Sequence, residues 1–280
     1  MSQGQSRSNI LIVTGTGTGV GKTVVTAAIA ALAAAGREHV AVLKPAQTGI
    51  RPGDPPRARY DRSRSGTPRG VRGPGGMGGG SLPCREEGAP PGDTDDIDVP
   101  DTETVTRLSG VTDTHELVRY PGPLSPEAAA RVSGLPPLDM DAAADYIAKL
   151  AADRDLVLVE GAGGLLVRYD AAGTTIANLA AALDAPAVTV AAPGLGTLNH
   201  TALTLEALAA RDIGSLGVVI GCWPRDPGLA ERNNLADLEA IAGGPLAGVL
   251  PAGAGQLPRG AFASVARESL APRLGGLRAA

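Results

Sequence analysis

Aromatic residues are almost missing from this 280-residue chain: one tryptophan, one phenylalanine and four tyrosines, 2% in all. Alanine, valine and leucine must therefore fill its core, within a total of 43% hydrophobic residues. Cysteine is equally scarce. Cys84 and Cys222 stand far apart, without the Cys-x-x-Cys or Cys/His spacing of a zinc site. A chain this long does not need a disulfide to hold its core, so both are expected as free thiols in a reducing compartment. There is no excess of positive charge either. The net charge is −4, which argues against a general nucleic-acid footprint, since that needs a basic patch. No apolar run reaches the roughly 18 residues of a membrane span. The opening MSQGQSRSN lacks the apolar core of a signal peptide. The expectation is a cytoplasmic protein with no nucleic-acid and no membrane partner.

What is present is alternation. Ile10 to Val13 is a continuous apolar run, read as a buried strand. A glycine-rich stretch follows, and then Thr23 to Ala35 is alanine-rich and helix-favouring, with Gly36 as its stop. VAVLKP, Val40 to Pro45, reads as a second buried strand closed by Pro45. From Arg51 to Gly92 glycine and proline dominate, with scattered arginines. Such a segment buries too little to offset its ordering entropy. It is expected to be a disordered surface insertion; arginines meeting an anionic partner are the alternative reading. Helices are expected at TETVTRLSG, at SPEAAARVSG with Ser125 as N-cap and Pro126 in the first turn, and at DMDAAADYIAKLAAD. Strands DLVLVE, APAVTVAA, SLGVVIG and PLAGVLP then alternate with helices near Thr175 to Leu183, at TALTLEALAARD and at LAERNNLADLEAIA. Continuous apolar strands between helices predict an α/β fold, a doubly wound, mostly parallel sheet with helices on both faces. Nothing signals a second core, so residues 1–280 are expected to form one domain.

The stretch TGTGTGVGKT, Thr14 to Thr23, departs from the usual phosphate-loop spacing G-x-x-x-x-G-K-[ST]. Thr16 holds the place of the first glycine, flanked by Gly15 and Gly17. The context is nonetheless that of a phosphate loop, with a buried strand before it and a helix after it. Glycines let backbone N–H groups turn inward around an anion, and the helix N-terminus favours negative charge. Gly17, Thr18, Gly19, Val20 and Gly21 would line that loop. Lys22 would bridge the outer phosphates, and the Thr23 hydroxyl would hold Mg²⁺. A glycine-rich turn without a ligand is the plain alternative. The motif predicts a P-loop NTPase-like fold that takes a nucleoside triphosphate.

Two further residues fall on the same edge. Lys44 ends an apolar strand before Pro45, and ligands of doubly wound sheets bind at the strands' carboxyl ends. Glu160 ends DLVLVE and suits a Mg²⁺ ligand, direct or through water. Each could instead be a charged strand end reaching solvent. Asp93 to Asp101 is rich in carboxylates, any of which could reach a metal. GLGTLNH, Gly194 to His200, places glycine and hydroxyl at a strand-to-helix turn that could receive a carboxylate. His200 reads as structural, and His39 and His115 carry no signal.

GTGTGVGKT, KPAQTG, RYPGPLSPEAAA, VEGAGGLLV, GLGTLNHT and VIGCWP together resemble the dethiobiotin synthetase family in its actinobacterial form. The resemblance runs from about Ile10 to Leu250, broken by the insertion. It accounts for the loop, because the family shares the longer G-x5-G-K-T spacing, counted here from Gly15. It implies an ATP-dependent, Mg²⁺-requiring cyclo-ligase acting on 7,8-diaminononanoate and CO2 or bicarbonate. It also implies a homodimer with sites across its interface. Lys22 and Thr23 would serve phosphate and metal. Lys44 would steady a carbamate and the transferring phosphoryl group. Thr48 would face the substrate, and Glu160 would bind metal. Asp101 matches the second metal carboxylate, with Asp98 and Asp96 as alternatives. Gly163, Gly164, Gly196, Thr197, Leu198 and Asn199 match diamine-binding segments. Many members read adenine with an asparagine where this chain has Gly221 and Cys222. Base contacts through backbone at Gly221, and a triphosphate other than ATP, are therefore open.

Two other classes are weaker. Partitioning and division-site ATPases carry an extra loop lysine where this chain has Gly17, and often a C-terminal basic amphipathic helix. An amidoligase such as a cobyrinate diamide synthase would need an amidotransferase domain with a cysteine nucleophile, for which this chain has no room.

Overall fold

A computed structural model describes residues 8–49 and 99–279. The Arg51 to Gly92 insertion, Cys84, Asp96 and Asp98 lie outside the described residues. The expected α/β architecture is present. Strands β1 (Ile10–Gly15), β2 (Val40–Thr48), β3 (Thr114–Tyr120), β4 (Leu156–Glu160), β5 (Ala187–Ala191), β6 (Ser215–Trp223) and β7 (Gly248–Pro251) form one sheet. Its order is β3-β2-β4-β1-β5-β6-β7, and every neighbouring pair is parallel.

Strand alternation divides the apolar residues between two faces. Ile10, Ile12, Ala41, Leu43, Val157 and Val159 point one way. They pack against α3 (Pro126–Ser133), α4 (Met140–Ala151) and α5 (Ile176–Ala182). Leu11, Val13, Val42 and Leu158 point the other way, against α1 (Lys22–Ala35), α2 (Asp101–Ser109) and α8 (Arg259–Ser269). α6 (Thr197–Ala209) and α7 (Leu229–Ala242) cover β5 and β6 through Leu205 and Leu238. The scarce aromatics are used deeply: Tyr120, Tyr169 and Phe262 are among the largest fully buried side chains.

Several boundaries differ from the sequence reading. Pro45 does not close β2, which continues to Thr48. The Val42 N–H donates toward β3, to the Asp113 carbonyl at 2.9 Å. By alternation Pro45 faces the β4 side, where pairing already ends at Leu43 and Val159. No neighbour there needs the missing N–H. Gly36 does stop α1 as its C-cap, with a right-handed φ of −73°, and the next residue, Arg37, takes the left-handed position at φ 68°. Pro126 does open α3, but Ser125 caps it by position only, with no side-chain hydrogen bond. α6 starts at Thr197, four residues earlier than TALTLEALAARD implied.

Strand β3 and helix α8 were not expected. THELVRY carries His115, Glu116 and Arg119 and so did not read as a buried strand. Its Glu116 is buried because Arg119 meets both carboxylate oxygens, at 2.6 and 2.9 Å. α8 is an amphipathic helix in the C-terminal part of the chain. Its apolar side, Phe262 and Ala266, is already spent in the core.

At the amino edge of the sheet Asp113 ties β3 to α4. Its carboxylate meets the Arg154 Nε at 2.7 Å and the His115 Nε2 at 2.9 Å. His115 Nδ1 meets the Tyr146 hydroxyl at 2.8 Å. Partial burial pushes the Asp113 carboxyl up, but the hydrogen bonds from Arg154 and His115 outweigh it and hold the group below its ordinary range. Its stabilisation is thus complete above the unfolded value and lost as pH falls through the lowered folded one. Asp113→Asn is expected to lower Tm at neutral pH. The gap between variant and wild type should shrink below about pH 4. Melting curves with a gap constant down to pH 3 would contradict this.

Candidate nucleotide and metal site

The carboxyl ends of β2, β4 and β1 lie side by side, and the sequence motifs meet there. β1 runs into the loop Thr16 to Gly21, which is anchored by a Thr16 N–H bond to the Val190 carbonyl at 2.9 Å. Gly21 holds φ 93° and ends the loop at the first turn of α1. Such a φ strains any residue with a Cβ. The space confirms the need: a Cβ on Gly21 would stand 2.7 Å from the Gly221 carbonyl oxygen. The loop therefore rests directly on the backbone of β6.

Lys44 and Glu160 follow Val42 and Leu158 on neighbouring strands, so both point to the α1 face, where Thr23 begins the helix. Lys44 Nζ lies 2.8 Å from Glu160 Oε1, 2.6 Å from Asp101 Oδ2 and 3.2 Å from the Gly161 carbonyl oxygen. Thr23 donates to Glu160 Oε1 at 2.9 Å. Lys22 donates to the Gly17 carbonyl at 2.8 Å, curling back over its own loop. Five residues from four segments thus form one cluster: Lys22, Thr23, Lys44, Asp101 and Glu160. Lys22, Lys44, Asp101 and Glu160 are all buried.

The electrostatics follow from that burial. Desolvation alone would lower the Lys44 ammonium, but Asp101 and Glu160 outweigh it and hold Lys44 protonated beyond the ordinary lysine range. Desolvation likewise would raise Asp101, and Lys44 beside it pulls the carboxyl below the usual range. Among the described residues no carboxylate pairs directly with Lys22, and the raising influence of Glu160 and Asp101 on it is outweighed. Burial, then the like charge of Lys44, lower it to about 8.

Two supporting residues escaped the sequence reading. Gln47, buried on β2, accepts the Asp101 N–H at 3.2 Å and so pins the start of α2 beside Lys44. Tyr169, fully buried, accepts the Ala162 N–H at 2.8 Å and fixes the turn after Glu160. Gln47 lies inside the quoted KPAQTG, where a buried amide between two functional positions was a usable signal. Tyr169 had none.

The remaining expected residues lie on the same edge of the sheet, at or after the carboxyl ends of β1, β2, β4, β5 and β6. Thr48 is half-buried at the end of β2, and Thr18 and Gly19 are exposed on the loop. Val20 is buried beneath the loop. Gly163 sits opposite Thr18, and Gly164 against the Gly15 and Thr16 backbone. Gly196 takes φ 90° at the N-terminus of α6. Thr197 is buried there, with a hydroxyl that has no hydrogen-bond partner among the described residues. Leu198 is half-buried and Asn199 exposed. Gly221 faces the loop rather than open space: a Cβ there would stand 2.1 Å from the Val20 carbonyl oxygen. Among the described residues no helix is long and apolar enough to cross a membrane.

A parallel sheet whose first strand feeds a glycine loop and a Gly-Lys-Thr helix start, with lysine and carboxylates from adjacent strands, defines a phosphate-loop nucleotide-binding protein. A family model described as an AAA domain matches residues 9–74 and 80–255. The ATP-dependent dethiobiotin synthetase BioD of Frankia casuarinae is 53% identical over 95% of this chain and 93% of its own. That of Streptomyces avermitilis is 49% identical over 96% and 94%. The chain belongs to the dethiobiotin synthetase family. Among solved structures, the septum site-determining protein MinD from Pyrococcus horikoshii, complexed with Mg-ADP, superposes with a TM-score of 0.50. It is 16% identical over 95% of this chain and 93% of its own. A ParA family ATPase from Chlorobium tepidum also reaches 0.50, at 15% identity over 96% and 95%. These two share the fold.

Proposed function

We propose that this chain forms dethiobiotin from 7,8-diaminononanoate, CO2 and ATP. Family membership makes it an ATP-dependent enzyme of biotin synthesis. The residue roles that follow are our reading of the site, and the convergence of Lys44, Asp101, Glu160 and Thr23 beside the phosphate loop carries it.

The triphosphate lies along Gly17 to Thr23, where inward N–H groups and the α1 dipole favour anions. Lys22 exchanges the Gly17 carbonyl for the outer phosphates. Thr23, Asp101 and Glu160 fit Mg²⁺, since a hydroxyl and two carboxylates are hard oxygen donors that leave other positions to phosphate and water. Among the described residues no group of three or more His, Cys, Asp or Glu could hold a metal. When bound, Mg²⁺ neutralises charge on the phosphoryl oxygens.

One amine of the diamine adds to CO2 and loses a proton, giving a carbamate. The Lys44 ammonium pairs with the carbamate oxygen and the incoming phosphoryl group. That oxygen takes the γ-phosphoryl, releasing ADP and leaving a carbamic–phosphoric anhydride. The second amine attacks the carbonyl carbon and expels phosphate, which closes the ring. Positioning and charge neutralisation suffice, and no protein nucleophile is required. Thr48, Gly163 and Gly164 meet the diamine, together with the turn Gly196 to Asn199 of a neighbouring subunit in a homodimer. The base is held without a side chain at Gly221, so ATP or another nucleoside triphosphate can serve.

The test is phosphate release from Mg-ATP, with and without diaminononanoate and bicarbonate, with dethiobiotin followed by mass spectrometry. Product that needs both co-substrates is expected. Phosphate release indifferent to the diamine would sink the assignment. Repeating the assay with CTP and GTP decides the base.

A further inference from the structure

We infer that Lys44 is a built-in counter-cation: in the nucleotide-free protein it holds the divalent-metal site closed, and metal arriving with nucleotide displaces it and frees its ammonium for the substrate. This rests on the reading of Thr23, Asp101 and Glu160 as metal ligands.

A lysine ammonium has three N–H donors and no acceptor. Here three oxygens take them: Asp101 Oδ2 at 2.6 Å, Glu160 Oε1 at 2.8 Å and the Gly161 carbonyl at 3.2 Å. Held this way, Lys44 has nothing left to offer a carbamate or a phosphoryl group. Two of its three partners are the carboxylates that a metal would need. Those carboxylates are buried, and buried charge without a partner is strongly unfavourable. A cation between them offsets that cost, and Lys44 stands there. The other buried lysine among the described residues, Lys22, is engaged with the Gly17 carbonyl.

Metal and ammonium thus compete for the same oxygens. Mg²⁺ binds oxygen at about 2.0–2.1 Å, so it cannot share the Asp101–Glu160 gap with Lys44 without close like-charge contact. Metal alone gains the two carboxylates but strands a buried ammonium. Metal with a triphosphate brings anionic oxygens that can receive the released Lys44. Metal and nucleotide should therefore bind cooperatively, and Lys44 should become available only once both are present.

The measurement is Mn²⁺ binding without nucleotide or diamine, by the loss of free-Mn²⁺ paramagnetic resonance signal. Wild type, Lys44→Ala and the longer, uncharged Lys44→Met are compared. Both variants should bind Mn²⁺ at least tenfold more tightly than wild type, and wild type should gain affinity when a non-hydrolysable ATP analogue is added. Equal or weaker binding by folded variants would overturn the inference. Should the variants lose their cooperative melt because the carboxylates are unpaired, recovery of that melt on adding Mn²⁺ supports it, and chains still unfolded in millimolar Mn²⁺ overturn it. No substrate enters this experiment. A failed dethiobiotin assay beside the expected Mn²⁺ pattern would therefore count against the proposed reaction alone.

Discussion

Lys44→Ala is expected to lower kcat for dethiobiotin formation by about 10²–10³-fold, the effect of removing one preorganised donor from a developing anion. The reason lies in geometry and charge together. Lys44 is held protonated by two buried carboxylates, on the strand between Glu116 and Glu160, within reach of the first turn of α1. No other described cation is buried with it except Lys22, which belongs to the phosphate loop. The same substitution is expected to tighten metal binding. A loss of turnover with a gain in Mn²⁺ affinity is a combination that simple unfolding cannot produce. Steady-state kinetics with saturating Mg-ATP, beside a thermal melt of the same preparation, makes the check. Turnover at the wild-type rate would remove Lys44 from the chemistry.

Gly221→Ala should be nearly as damaging, through packing rather than charge. The new methyl carbon would be 2.1 Å from the Val20 carbonyl oxygen, 2.7 Å from Val190 Cγ1 and 3.1 Å from the Gly21 Cα. Two of those neighbours are backbone of the phosphate loop, which cannot swing aside as a side chain could. The loop must lift off β6, at an overpacking cost of about 1–3 kcal/mol. Its N–H groups would then point away from where the phosphates sit. A lower Tm and at least tenfold weaker nucleotide binding are expected, the second readable by fluorescence titration with a labelled nucleotide. Wild-type affinity in this variant would mean that the loop tolerates displacement. Cys222, one position on, is half-buried, so the close approach is a property of Gly221.

The pattern of strands and helices was legible because it is local. Apolar runs such as LVLVE and AVTVA are buried on both faces of the sheet and show as unbroken hydrophobic stretches. The Gly-Lys-Thr start of α1 announces itself in the same way, since the φ values and amides of a phosphate loop belong to consecutive residues. β3 was not legible, because Glu116 is tolerated inside only through Arg119, a pairing that exists once the strand is formed. Nor was the true end of β2. Whether Pro45 breaks a strand depends on which neighbour its missing N–H would face.

The amino-acid sequence by itself determined the fold class, the phosphate loop, and Lys44 and Glu160 as charged ends of buried strands. Only the tertiary structure decided what those charges do. The strand order places β4 between β2 and β1, so residues more than a hundred positions apart meet within 3 Å. It set Asp101 beside Lys44, with the Asp101 N–H donating to Gln47. It also brought the Gly221 backbone against Val20 and Gly21, beneath the phosphate loop. The physical reason is common to all three. Burial makes a charge or a backbone contact depend on whatever stands beside it, and in a parallel sheet the strands that stand together are far apart in sequence.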